Sequence, residues 1–203
     1  GTHEFGALGK VIGEKMGGLQ GKKLPFIRGI DQASVEELKS LCASLATYGG
    51  AAMFHMEGIT PEAGLVALSL EAIPVSRQEL ERSIESLNDP DAEIDFISLG
   101  CPHLSIREIQ RLAELLRGRQ VRREFWITTS RAVKAIADRA GYSQVIEASG
   151  AKFAVDTCCV VAPIRGRFNT LLTDSAKACY YAYSKNKFKT VYKSFDEVVQ
   201  EAL

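Results

Sequence analysis

The chain has 203 residues, 46% of them hydrophobic, and its 25 basic and 25 acidic side chains cancel to zero formal charge. Such a composition excludes a disordered tail, a collagen-like segment and a disulfide-stapled mini-protein, and the length is ample for a buried core. Neutrality argues against a nucleic-acid partner, which calls for a basic excess, and no apolar run approaches the roughly 18 residues of a membrane span.

The elements follow in chain order. The chain starts at Gly1 without an initiator Met, and its first 21 residues hold seven glycines. Residues 1–33 therefore read as a glycine-rich lead-in to a chain entered midway, and residues 34–203 as the folded domain. Ser34 with Glu37, Ser76 with Glu79 and Ser105 with Glu108 each form a Ser-x-x-Glu capping box ahead of a helical stretch. After Ser105, the apolar positions Ile106, Ile109, Leu112, Leu115 and Leu116 recur at helical spacing, and Gly118 supplies the stop. Short apolar runs at 51–55, 94–99, 125–128 and 153–155 lie between helices and predict buried strands. Further strands are expected at 170–172 and 188–192, followed by helices from Ser175 and Ser194. Pro74 and Asn88-Asp89-Pro90 are compatible with loops inside one domain, and the arginines at 117, 119, 122 and 123 with a solvated connection. Strands alternating with helices predict an α/β fold, a parallel or mostly parallel β-sheet with helices on both faces.

Ligands in such sheets bind outside the carboxyl ends of the strands, so the residues after each strand carry the information. The five tips bear His55, then Cys101 and His103, then Thr128-Thr129-Ser130, then Asp156 with Cys158 and Cys159, then Thr173-Asp174-Ser175 and Lys177. The joint pattern points to a polar site along one sheet edge. Cys42 and Cys179, both in helical surroundings, read as small buried hydrophobes. Cys101 and one of the Cys158–Cys159 pair are candidate metal ligands, because neighbouring side chains of extended backbone face opposite ways. Standard zinc spacing is absent, and an iron–sulfur site needs at least one more thiolate than this pair supplies. His103, two residues from Cys101, is open to three roles: ligand, substrate contact or thiolate-orienting group. Ser175 with Lys177 at a helix start suits an anion such as a phosphate or carboxylate. Three readings remain open at this point: an enzyme that uses a cluster, a non-catalytic metal- or ligand-binding module, and a zinc hydrolase built on Cys101, His103 and Cys158. Five cysteines without a framework pattern suit a reducing compartment, the cytoplasm.

Six segments in order resemble the catalytic subunit of the aconitase X family: residues 5–9 (Phe-Gly-Ala-Leu-Gly), 54–63 (Phe-His-Met-Glu-Gly-Ile-Thr-Pro-Glu-Ala), 98–103 (Ser-Leu-Gly-Cys-Pro-His), 128–131 (Thr-Thr-Ser-Arg), 156–158 (Asp-Thr-Cys) and 173–177 (Thr-Asp-Ser-Ala-Lys). The resemblance implies an aconitase-like α/β/α domain and a hydro-lyase that removes water from a hydroxy acid with an iron–sulfur cluster. One branch of the family acts on cis-3-hydroxy-L-proline; the other, divided into large and small subunits and serving isoprenoid biosynthesis, acts on mevalonate 5-phosphate, the expected substrate here. It further implies Cys101 and Cys158 as cluster ligands, with a third expected from an N-terminal half outside this sequence. His55, Thr128, Thr129, Ser130, Ser175 and Lys177 fall on motif positions expected to line the substrate pocket. The implied partner is the small subunit, or a fused small domain, of the same enzyme.

Overall fold

The computed structural model describes residues 1–17, 24–66 and 72–203. Two compact units appear, Gly1–Ser86 and Leu87–Leu203. The division thus falls beside Asn88-Asp89-Pro90 rather than near residue 33.

In the first unit, α1 (Thr2–Gly17) runs through the region expected to be a glycine-rich lead-in. Gly18 and Gly21, also counted in that lead-in, lie outside the described residues. The helix tolerates glycine because α2 (Val35–Gly49) lies against it at backbone distance. A Cβ on Gly9 would stand 2.7 Å from the Leu41 carbonyl oxygen, and one on Gly13 would stand 2.8 Å from the Gly49 nitrogen. Glycine here serves close approach, which offsets its helix cost of about 1 kcal/mol per residue. The Ser34–Glu37 capping box opens α2 as expected. The strand expected over 51–55 is instead the two-residue β2 (His55–Met56), paired in parallel with β1 (Phe26–Ile27). Ala52 and Met53 are exposed, so the apolar run is not a buried strand. Met16, Ile27, Leu41, Leu45, Ala51 and Met56 form the core of this unit, and α3 (Arg77–Glu85) starts from the Ser76–Glu79 box.

The second unit contains a five-stranded, wholly parallel sheet in the order β5-β4-β3-β6-β7: β3 (Phe96–Leu99), β4 (Glu124–Thr129), β5 (Lys152–Val155), β6 (Thr170–Thr173) and β7 (Lys189–Tyr192). Side chains alternate between its faces. Ile97, Leu99, Phe125, Ile127 and Leu172 pack under α4 (Ile106–Leu116), α5 (Arg131–Arg139), α6 (Tyr142–Ala148) and α8 (Phe195–Ala202). Phe96 and Leu171 face the opposite layer, formed by α7 (Ala176–Tyr181), the π-helical turn Ala182–Asn186 and buried residues Cys159, Val160 and Ile164. Phe96 stacks on Phe168 with ring centroids 4.4 Å apart. The outer edge of β7 is closed by side chains. The amides of Thr190 and Tyr192 donate to Asp89 Oδ2 (2.7 Å) and Asn88 Oδ1 (2.8 Å), which satisfies an edge that would otherwise invite pairing.

The chain proceeds outward from β3 through β4 to β5, then returns to the other side of β3 with β6 and β7. The strand order therefore reverses between β3 and β6, and in open α/β sheets this switch point is where a ligand crevice forms beyond the carboxyl ends. Residues 100–105 follow β3 there, and residues 174–177 follow β6.

Candidate functional site

Gly100 begins the site. It turns the chain out of β3 at φ +107, and a Cβ there would lie 2.1 Å from the Thr128 carbonyl oxygen and 2.6 Å from Thr128 Oγ1. Only glycine lets the loop pass this close to β4. The loop then makes a cis Cys101–Pro102 peptide and is fastened to the end of β4. Thr128 Oγ1 donates to the Leu99 oxygen (3.2 Å) and the Gly100 oxygen (2.5 Å). Thr129 Oγ1 donates to the Leu104 oxygen (2.8 Å), and the Leu104 amide donates to the Thr128 oxygen (3.0 Å). From the β6 side, Ser175 Oγ donates to the Cys101 oxygen and accepts from the Ala178 amide.

The second cysteine-bearing loop, after β5, is also tied to β4. The Asp156 amide donates to the Thr129 oxygen (3.0 Å), and Asp156 Oδ1 accepts from the Arg131 amide (2.8 Å). Asp156 adopts φ 55, the left-handed conformation that Asp tolerates better than most residues. This geometry delivers Cys158 to Cys101, and the two thiols hydrogen-bond to each other.

Their environments drive them apart chemically. The hydrogen bond from Cys101 lowers the Cys158 thiol to about 5, with the Val160 and Val161 amides and the charge of Lys177 acting the same way against partial burial. The Cys101 thiol is pushed well up, first by that shared hydrogen bond and then by burial. One thiolate and one thiol share a proton between them, next to the Lys177 ammonium. Cys159 points the other way, into the core beneath the sheet; burial pushes its thiol up to about 12, and it hydrogen-bonds Ser98. Cys158, not Cys159, is thus the site cysteine of the pair. Cys179 is buried as expected and its thiol is raised by that burial. Cys42 is exposed on α2, contrary to expectation, because Leu41 and Leu45 take the buried face. None of the five cysteines is in a disulfide.

The structure brings Cys101, Cys158, Ser175, Thr128, Thr129 and Lys177 together. Thr128 and Thr129 are fully buried and Ser175 nearly so, and all three hydroxyls serve the cysteine loop rather than facing an open pocket. Ser130 caps α5, accepting from the Val133 amide at 3.2 Å. Among these groups Lys177 is the one cation beside the sulfurs. His55 belongs to the first unit, at the start of β2, where it is buried near Phe26. Its Nδ1 has no hydrogen-bond partner among the described residues. His103 is a contact the sequence left open among three roles: its Nε2 lies 2.8 Å from the Thr157 oxygen. A carbonyl oxygen only accepts, so Nε2 carries the proton. Gly100 and Asp156 lie in the tip segments that the sequence pointed to, but their backbone roles were not read there, although a Gly directly before a strand-tip Cys signals a close backbone approach.

The buried Cys101 thiol and the half-buried Cys158 thiol, with no third donor among the described residues, make an incomplete ligand set. Among the described residues, no group of three His, Cys, Asp or Glu side chains could hold a metal ion. The zinc arrangement of Cys101, His103 and Cys158 is accordingly not assembled among the described residues. The two sulfurs do fit as part of an iron–sulfur ligand set completed from elsewhere. No helix among the described residues is long and apolar enough to cross a membrane.

Comparison with known proteins agrees with this layout. The family model of the aconitase X second domain matches residues 1–85, and that of the aconitase X third domain matches residues 94–203. The phosphomevalonate dehydratase large subunit of Thermococcus kodakarensis is 38% identical over 174 residues, 84% of this chain and 45% of that protein. The corresponding subunit of Methanosarcina mazei is 36% identical over 98% of this chain and 48% of its own length. The cis-3-hydroxy-L-proline dehydratase of Hypocrea jecorina is 34% identical over 84% of this chain and 31% of that protein. The crystal structure of holo-form aconitase X from Thermococcus kodakaraensis superposes with a TM-score of 0.91 at 34% identity, over all of this chain and 52% of that one. The chain spans about half the length of the phosphomevalonate dehydratase large subunits it matches.

Proposed function

Because the chain belongs to the aconitase X family, we propose that it forms the second and third domains of an iron–sulfur-dependent dehydratase that removes water from a hydroxy acid. The observation that carries this reading is the meeting of Cys101, Cys158 and Lys177 at the switch point of the sheet. Cys101 and Cys158 would hold the cluster, with a third ligand supplied from elsewhere in the assembled enzyme. When bound, an iron with an open position supplies Lewis-acid assistance to departure of a substrate hydroxyl.

The chain's own residues then have separate tasks. Lys177 places a positive charge beside the sulfurs and would bind the anionic group of the substrate, a carboxylate or phosphate. Thr128, Thr129 and Ser175 hold the Cys101 loop, so we assign them to positioning rather than to substrate contact. Ser130 shapes the third tip by capping α5. His55, whose buried Nδ1 has no hydrogen-bond partner among the described residues, stays a proposed substrate-binding residue on the resemblance alone. The names of the large-subunit relatives favour mevalonate 5-phosphate over cis-3-hydroxy-L-proline. That branch also implies a small subunit as partner and the cytoplasm as the compartment in which the thiols stay reduced.

The test is water loss from mevalonate 5-phosphate and from cis-3-hydroxy-L-proline, measured on the full-length, anaerobically loaded protein with its second subunit. Turnover of the phosphate substrate, with KM raised by Lys177→Met, is expected. Turnover of the proline alone would move the chain to the other branch, and turnover of neither would overturn the reading.

A further inference from the structure

We propose that His103 is a positioning residue that presets the Cys101–Cys158 pair, clasping the two cysteine loops together before any metal arrives. The inference rests on reading these cysteines as the site pair, and it adds what holds them at bonding distance.

Both loops are anchored on the end of β4, but separately. The first is held through Leu99, Gly100 and Leu104, the second through Asp156. Cys101 sits between the Gly100 and Leu104 anchors with its carbonyl held by Ser175, and Cys158 sits two residues past the Asp156 anchor on a loop of its own. The His103–Thr157 hydrogen bond, at 2.8 Å, crosses directly from one loop to the other. It begins two residues after Cys101 and ends on the residue before Cys158. The donor is Nε2–H, because its partner is a carbonyl oxygen. The imidazole is half-buried, which shields this bond from competition with water. His103 therefore acts through the loop geometry, and the clasp needs a donor at the Nε2 position rather than an imidazole as such.

This distinction can be tested with a probe that reports paired thiols in the absence of iron. A trivalent arsenical such as phenylarsine oxide condenses with two neighbouring thiols. Two As–S bonds form, the arsenic oxygen leaves as water with both thiol protons, and arsenic stays trivalent. The full chain, prepared anaerobically without metal, is titrated with phenylarsine oxide and the adduct is read by intact mass. Cys101→Ser and Cys158→Ser mark the background. His103→Gln places an amide N–H near the Nε2 position without an imidazole, and His103→Ala removes the donor.

Capture within about twofold of wild type for His103→Gln, with a loss of about fivefold for His103→Ala, is expected for the net worth of one hydrogen bond. Wild-type capture by both variants would overturn the clasp. So would loss of capture in His103→Gln at an unchanged melting temperature, since the imidazole itself would then be required. Should His103→Ala fail to fold, His103→Leu, which keeps bulk and removes the donor, is measured in its place by the same criteria. The probe needs no iron, so failure of the iron–sulfur reading would appear in cluster reconstitution and leave this pattern intact.

Discussion

Gly100→Ala is the substitution whose cost can be followed furthest from the coordinates. Residue 100 sits at φ +107, and moving a side chain into the positive-φ region costs about 1–2 kcal/mol. The added Cβ would stand 2.1 Å from the Thr128 carbonyl oxygen, where ordinary contact begins at 3.4 Å. The obstacle is backbone, so no rotamer change relieves it; the ends of β3 and β4 must separate by more than an ångström. That displacement breaks the donation of the single Thr128 Oγ1 proton, shared between the Leu99 and Gly100 oxygens, at about 1 kcal/mol net. The sum is about 2–3 kcal/mol, and at about 2 °C per kcal/mol or more the melting temperature should fall by at least about 4 °C. Trp126 is the single tryptophan of the chain and lies in β4, so its fluorescence follows the unit that contains the site. A Trp-detected transition within about 2 °C of wild type would refute the argument that close backbone approach requires this glycine.

Thr128→Val keeps the shape of a buried side chain but strands two carbonyl oxygens, and should cost about 1–3 kcal/mol by the same fluorescence-detected melt. Ser105→Ala removes the oxygen that accepts from the Glu108 amide at 3.2 Å and should cost about 1 kcal/mol, measured by urea denaturation. In the metal-free chain at pH 6.5, iodoacetamide should modify Cys158 before the more exposed Cys42, because Cys158 is held down to about 5. The sign follows from the thiolate being the nucleophile: the Cys158 rate should persist from neutral pH down to its lowered value and fall below it. Peptide mapping that finds Cys42 labelled first would contradict that electrostatic picture.

The second unit was largely legible in the sequence because its signals are local. The capping box at Ser105 is present, as are those at Ser34 and Ser76 in the first unit, and each short apolar run between 94 and 192 became a strand of one parallel sheet. The first unit was less legible. Its glycines look like loop residues in one dimension, whereas Gly9 and Gly13 serve a helix contact with α2 that no local pattern encodes. The run at 51–55 is apolar enough for a strand, but only His55–Met56 finds a pairing partner. At the site, alternation led to the expectation that only one of Cys158 and Cys159 faces the tip; Cys158 meets Cys101 while Cys159 lies in the core, and it is the resemblance, not alternation, that named which one. The direction of the hydroxyls was not legible. Thr128, Thr129 and Ser175 sit where pocket residues would, yet their protons go to carbonyls of a neighbouring loop. That choice depends on a crossing of strands distant in sequence.

The central claim is that Cys101 and Cys158, and not their neighbour Cys159, hold the cluster. Anaerobic iron and sulfide reconstitution of the full-length protein, read by visible absorption, tests it most directly. The account predicts that Cys101→Ser and Cys158→Ser each lose or strongly alter the cluster spectrum while Cys159→Ser retains it. Identical spectra for wild type and all three variants, or loss confined to Cys159→Ser, would contradict it.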